Sequence, residues 1–207
     1  MTDGVVRSGA RGEFGRAVPV RPMREPRRVP DRCPRGHRLD LAGVTVGWSP
    51  RYQLHQLTCQ ACLALDSAAA SWCQLDPSQQ HPAEDEQARA GLRLVVVPPT
   101  VPAGVGRIEL RLDGHPVGDI DLALCGRCRT GVVEHVRVDP AWNRRGYGRT
   151  LLAAALTRGP AYDWSTTPVA DHPVSRAFWS AVAPRHLEVG VPRRCSDLLA
   201  AATAVHP

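Results

Sequence analysis

One stretch constrains this chain more than any other: Val132-Val133-Glu134-His135-Val136-Arg137-Val138-Asp139-Pro140-Ala141-Trp142-Asn143-Arg144-Arg145-Gly146-Tyr147-Gly148-Arg149, continued by the apolar run Thr150 to Leu156. Its valine-rich first half reads as a β-strand, the middle as a basic turn with two glycines, and the end as a helix opening directly out of that turn. A helix N-terminus presents N–H groups without helical partners and a partial positive charge, and glycine lets backbone approach an anion closely. With Arg144, Arg145 and Arg149 beside it, the turn suits a multiply charged phosphate.

The surrounding sequence supplies a sheet for that strand. Leu92 to Val97 is a strand by its β-branched content. Arg107 to Leu112 and Val117 to Leu124 alternate polar and apolar residues around Asp113-Gly114, which predicts an antiparallel hairpin. Leu151 to Leu156 is a helix bounded by Gly159-Pro160, Tyr162 to Thr167 a strand, Val174 to Val182 an amphipathic helix, and Leu187 to Leu198 a weakly signalled closing segment. On the organising strand, strict alternation would put Val132, Glu134, Val136 and Val138 on one face, with Val133, His135 and Arg137 on the other. Residues 91–207 are thus expected to form an α+β domain with a mixed, mostly antiparallel sheet flanked by helices.

Ahead of it lies a cysteine-rich segment. Cys33-Pro34-Arg35-Gly36-His37 and Cys59-Gln60-Ala61-Cys62 are separated by the strand-like runs Val44 to Trp48 and Gln53 to Thr58. Two turn-borne ligand pairs on strand-like sequence predict a zinc-ribbon-like module over 31–76, with Cys33, His37, Cys59 and Cys62 as tetrahedral ligands. A segment this short has little core of its own, whereas structural zinc supplies roughly 10–16 kcal/mol of apparent binding free energy. His55 and Cys73 are the substitutes should His37 not serve. No water-activating acid stands beside these residues, so a structural Zn2+ is expected over a catalytic one. The polar run from Pro77 to Ala90 reads as a linker. Cys125-Gly126-Arg127-Cys128 is half of a zinc knuckle, a redox dithiol, or two packed thiols; with no complementary pair nearby in sequence, packing ranks first.

Charge is concentrated at the start. Residues 1–38 hold ten arginines against Asp3, Glu13, Glu25 and Asp31, which accounts for the whole +6 of the chain, and no lysine occurs anywhere. Residues 1–30 lack strand or helix periodicity and read as a disordered basic tail. Such a tail could neutralise nucleic-acid phosphates, but without interleaved aromatics a solvated arm is the preferred reading. No apolar run approaches the roughly 18 residues of a membrane span, and the first residues lack the apolar core of a secretion signal. A cytoplasmic location with no membrane partner is the expectation, in keeping with cysteines used as metal ligands.

Residues 92–183 resemble the GNAT superfamily of N-acetyltransferases. The likeness rests on the hairpin, the long central strand, the turn pattern [Gln/Arg]-x-x-Gly-x-[Gly/Ala], and the helix, strand and helix that follow. It implies that acetyl-CoA is the co-substrate, that Arg144, Arg145, Gly146, Tyr147, Gly148 and Arg149 cradle its pyrophosphate, and that Val136 and Val138 lend backbone groups to the pantetheine arm. It also implies direct attack of an amine on the thioester, with the Val136 N–H polarising the carbonyl. Glu134, a carboxylate among valines, is the candidate general base, and His135 is the alternative because imidazole suits neutral pH. Three departures stand out. Asn143 occupies the first position of the turn pattern. Trp179 stands where the family's tyrosine acid is expected, and as it has no phenol, water or Tyr162 would have to protonate the leaving thiolate. The interval from Val97 to Arg107 has no room for the two acceptor-side helices, so the zinc module is a candidate to form that side. The leading expectation is an acetyl-CoA-dependent N-acyltransferase acting on an amine the sequence does not identify. A non-catalytic acyl-CoA-binding regulator and a zinc-dependent nucleic-acid-binding protein are the alternatives.

Overall fold

The computed structural model describes residues 28–205. The expected disordered tail over 1–30 falls almost entirely outside them.

The cysteine-rich segment folds around its thiols. A single helical turn, α1 (Leu39–Ala42), leads into β1 (Val44–Ser49) and β2 (Leu54–Cys59); a second turn, α2 (Gln60–Ala64), leads to β3 (Ser71–Cys73). The strands form an antiparallel sheet in the order β1-β2-β3. Its core consists of Leu39, Leu57, Ala70 and Trp72 together with the sulfurs of Cys33, Cys59 and Cys62. So few carbon side chains bury little apolar area.

The following segment departs from expectation. Residues 77–90, read above as a linker, contain β4 (Gln80–Pro82) and a 3-10 turn over Glu86–Arg89, and β4 pairs in parallel with β5 (Leu92–Val97). The strand is held by polar contacts rather than by an apolar face. Gln80 Nε2 donates to Ala154 O and Pro77 O, each at 2.9 Å, and His81 lies 3.0 Å from Asp85. Because β4 ends the sheet, Pro82 removes no N–H that an inner ladder would need.

The second sheet has the order β10-β9-β8-β7-β6-β5-β4. Its centre is the antiparallel meander of β5, β6 (Val105–Leu112), β7 (His115–Cys125) and β8 (Thr130–Val138). The β6–β7 hairpin closes through Asp113-Gly114, both with positive φ (49° and 83°), the requirement of a two-residue type I′ turn. The helix α3 (Tyr147–Thr157) crosses back from β8 to β9 (Asp163–Thr166), which pairs with β8 in parallel; α4 (Pro173–Val182) then precedes the parallel edge strand β10 (Leu187–Glu188). The weakly signalled end forms α5 (Ser196–Val205). α3 and α4 contribute Tyr147, Leu151, Leu152 and Trp179 to the main core with Leu94, Ile108, Leu110 and Ile120. Leu198 of α5 packs on the opposite face with Ala123, Cys125 and Val132.

The organising strand does not alternate strictly. Opposite β7, Asp121 faces His135 and Leu122 faces Val133, so Glu134 is the extra residue of a β-bulge. The bulge turns Val133 into the main core with Val136 and Val138, while Val132 joins the α5 side. The face assignment expected from simple alternation is therefore corrected at Glu134.

Candidate functional site

β8 and β9 stay paired only from Thr130 opposite Asp163 to Val133 opposite Thr166. Beyond that point the chain after β9 turns away at Thr167 and Pro168, leaving the continuing edge of β8 without a strand partner. The opening is a cleft of about 340 Å³ lined by Val133 to Val136 and Val138 of β8, by Thr166 to Ala170, by Asn143 and Gly148, and by Ser175, Phe178 and Trp179 of α4.

Glu134 lies at the bulge, inside this cleft. Its Oε2 accepts from Arg194 at 2.7 Å, while Oε1 is buried and takes no hydrogen bond among the described residues. Its backbone carbonyl accepts from the Thr167 hydroxyl at 2.7 Å, which pins the bulge to the segment leaving β9. His135 is exposed and also lines the cleft. Val136 and Val138 line it one after the other along β8. A buried, unpaired carboxylate oxygen is costly unless a ligand or water completes it.

The basic turn sits at the same end. Asp139 caps a 3-10 turn over Pro140–Trp142 by accepting from the Ala141 N–H at 2.8 Å. Arg144 and Gly146 then take left-handed φ values of 63° and 82°, and α3 begins at Tyr147. The first-turn N–H groups of a helix that starts this way have no helical acceptor. Gly148 is needed for a second reason: a Cβ there would stand 2.7 Å from Phe178 Cε2. Arg144 is exposed; Arg145 lies 5.4 Å from the Trp142 ring centroid; Arg149 donates to Ala181 O at 3.0 Å. The Tyr147 side chain points the other way, into the core. Burial pushes its phenol well above the ordinary range, and its Oη accepts from the Cys73 N–H at 3.5 Å. Its backbone, not its ring, is what it can offer an anion.

Two expected contributors lie elsewhere. Tyr162 packs at the far end of β9 against Gly159, with its hydroxyl near Gly126, and is absent from the cleft lining. The Cys/His module is also absent from that lining. It docks behind the turn instead: Pro34 would be 3.5 Å from a Cβ on Gly146, and Tyr52 meets Trp142 edge-on at 5.9 Å. Arg194 and Thr167 were not singled out in the sequence. Arg194 lies in the weakly patterned closing segment, and no local motif connects it to Glu134.

In the module, the ligand atoms of Cys33, His37, Cys59 and Cys62 lie within 4.8 Å of one another. Cys33 Sγ is 3.8 Å from Cys62 Sγ, and His37 Nδ1 is 3.7, 3.8 and 3.1 Å from the sulfurs of Cys33, Cys59 and Cys62. Tetrahedral zinc bonds of about 2.3 Å to sulfur and 2.0 Å to nitrogen imply separations of about 3.8 and 3.5 Å. The donor set therefore fits such an ion. Burial, reinforced by the neighbouring thiols, pushes the Cys62 thiol up to about 12. The cation would counter that by binding the thiolate. The two substitutes lie outside this cluster: His55 stacks edge-on against Trp48, and Cys73 is buried behind Tyr147 with its thiol pushed up to about 11 by that burial.

The profile of the acetyltransferase (GNAT) family matches residues 64–180, more than half of the chain. The chain belongs to the GNAT family. The match spans the cleft, the basic turn, α3 and most of α4, and begins just after Cys62. Mycothiol acetyltransferase of Clavibacter michiganensis subsp. michiganensis is 39% identical over 69 residues, which are 33% of this GNAT chain and 22% of that protein. The chain thus spans about a fifth of that relative's length. Among solved structures, E. coli YhhK bound to coenzyme A aligns at 25% identity over 41% of this chain and 66% of its own, with a TM-score of 0.36. The ribosomal-protein-alanine N-acetyltransferase of Brucella melitensis biovar Abortus aligns at 17% identity over 50% of this chain and 66% of its own, with a TM-score of 0.27.

Proposed function

We propose that the cleft between β8 and β9 transfers the acetyl group of acetyl-CoA to an amine by direct attack on the thioester. The observation that carries this reading is the buried, unpaired Oε1 of Glu134 in a cleft that also receives the N-terminus of α3. In this reading the pyrophosphate lies on the Asn143–Arg149 turn, held by backbone N–H groups and by Arg144 and Arg145. The pantetheine arm runs along the unpaired edge of β8 at Val136 and Val138, with the Val136 N–H toward the thioester oxygen. Glu134 Oε1 accepts a proton from the incoming amine, directly or through one water, while Arg194 fixes the other oxygen. The amine nitrogen bonds to the carbonyl carbon, the C–S bond breaks, and the thiolate takes up a proton. A free thiol has a pKa near 8.5, so solvent can supply that proton and a tyrosine is not obligatory. His135 is the alternative base.

A structural Zn2+ held by Cys33, His37, Cys59 and Cys62 belongs to the same proposal. Bound there, it would fix Pro34 against Gly146 and so brace the phosphate turn from behind. A second reading, acyl-CoA binding without turnover, draws on the ion pair that occupies one oxygen of Glu134 and on the absence of tyrosine from the cleft lining.

Thermal denaturation of the full chain with and without acetyl-CoA tests the site. At 100 times its dissociation constant the ligand should stabilise the fold by about 2.7 kcal/mol, and replacing both Arg144 and Arg145 with alanine should remove most of this. No shift at millimolar acetyl-CoA, or an equal shift in the double variant, would contradict the proposal.

A further inference from the structure

The turn between β7 and β8 and the start of α5 bring together Cys125, Cys128, Cys195 and Asp197. Their ligand atoms all lie within 4.8 Å of one another. Cys125 Sγ is 3.3 Å from Asp197 Oδ2, close to the roughly 3.6 Å expected between sulfur and oxygen ligands on one tetrahedral zinc. The Cys128 N–H donates to Cys125 Sγ at 3.4 Å, so the Cys-x2-Cys turn already directs a backbone dipole onto its first sulfur. Arg127, between the two cysteines, grips Asp197 through Nε at 3.0 Å and Nη2 at 2.5 Å. That is the outer-sphere support that orients a ligating carboxylate. Cys125 and Cys128, which rank as packed thiols from sequence for want of a pair nearby, thus meet two further donors, Cys195 and Asp197, about 70 residues on.

We infer that these four residues form a second metal site, a Zn2+ bound by three thiolates and one carboxylate. Soft sulfur donors select zinc over magnesium or calcium, and zinc accepts a carboxylate oxygen as fourth ligand. Three thiols cannot all be consumed by one disulfide, whereas a single ion uses all three together with the carboxylate. Four protein donors leave no position open for substrate, which marks a structural role. The apolar cluster here is small: Leu198 groups with Ala123, Cys125 and Val132, and Ala103 and Cys195 pack against it. The ion would clamp α5 to the β7–β8 turn. It would also anchor the chain immediately after Arg193 and Arg194, which hold Ser165 Oγ through the Arg193 N–H at 2.9 Å and Glu134 at 2.7 Å. Both clusters lie wholly or partly outside the family match, so neither follows from family membership.

Elemental analysis of the full chain, purified under reducing conditions without chelator, tests this independently of any acetyl transfer. Two zinc equivalents per chain are expected, falling to one in Cys195→Ser and to one in Cys33→Ser. A single equivalent that Cys195→Ser leaves in place and Cys33→Ser abolishes would overturn the second site while leaving the first intact. Alkylation of the wild-type chain followed by peptide mass analysis keeps the test valid if a variant fails to fold. Cys125, Cys195 and above all the exposed Cys128 should be protected in the zinc-loaded protein and become reactive when a chelator removes the metal. Rapid labelling of all three with zinc bound, or a disulfide among them in the reduced preparation, would refute it.

Discussion

Gly148→Ala separates the phosphate turn from the fold that carries it. The new methyl would stand 2.7 Å from Phe178 Cε2 and 3.3 Å from Cζ. Two effects on stability oppose one another. Alanine in place of glycine within a helix contributes roughly 0.5–1 kcal/mol. Displacing the Phe178 ring costs a comparable roughly 0.5–1.5 kcal/mol, because α4 has no fully buried residue to lock that ring in place. The unliganded melting temperature should therefore move by no more than a few degrees. Ligand binding should respond far more. The methyl and the displaced ring both enter the cleft where an anion must approach the first-turn N–H groups of α3. A hundredfold loss of affinity, at an acetyl-CoA concentration 100 times the wild-type dissociation constant, reduces ligand stabilisation from about 2.7 to about 0.4 kcal/mol. At 2–4 °C per kcal/mol for a chain of this size, a wild-type shift of about 5–11 °C becomes about 1–2 °C. Differential scanning calorimetry with and without acetyl-CoA reads both quantities. A variant that keeps the full ligand shift would refute the placement of the pyrophosphate on this turn.

Other expectations follow from the same contacts. Glu134→Gln should retain acetyl-CoA binding but lower turnover by about 10²–10⁴-fold; steady-state kinetics with an accepted amine would contradict the assignment if the rate were unchanged. Gly131→Ala places a Cβ 2.7 Å from Trp164 Cε3, a ring that is 2% exposed and held by its Nε1 donating to Gly159 O at 2.7 Å. It should destabilise the fold by about 1–3 kcal/mol, and an unaltered melting temperature would show that Trp164 can move. Zinc affinity of the Cys33, His37, Cys59, Cys62 cluster should rise with pH. With Cys62 pushed up to about 12 in the metal-free protein, binding near pH 7 must displace its proton. Competition with a chelator at several pH values measures this, and affinity that fell as pH rose would exclude thiolate ligation.

Local chemistry made much of the architecture legible. Asp113-Gly114 marked the hairpin because few other pairs adopt two positive φ values, and β5 was evident from its β-branched run. β4 was hidden because Gln80-His81-Pro82 is secured by side-chain hydrogen bonds at a sheet edge rather than by a patterned apolar face. The bulge at Glu134 was equally invisible, since Val-Val-Glu-His-Val is compatible with unbroken alternation and the extra residue depends on pairing with β7. At the site, the glycine-bearing turn was readable from spacing. The Arg194 partner of Glu134, the inward ring of Tyr147 and the approach of Cys195 to Cys125 are products of tertiary folding across long intervals. No membrane-spanning helix occurs among the described residues.

Mass detection of acetylated product tests most directly whether the β8–β9 cleft transfers an acetyl group. Wild-type chain saturated with acetyl-CoA is mixed with a panel of primary amines, including small thiol conjugates and peptide N-termini. Product mass is preferable to thiol reagents, because the chain's own seven cysteines would react with them. The expected result is an amine product 42 Da heavier, the mass of one acetyl group replacing one hydrogen, formed in step with CoA release and lost in Glu134→Gln. Saturable acetyl-CoA binding with no product above the enzyme-free rate for every amine would contradict it and leave a binding protein in place of an enzyme.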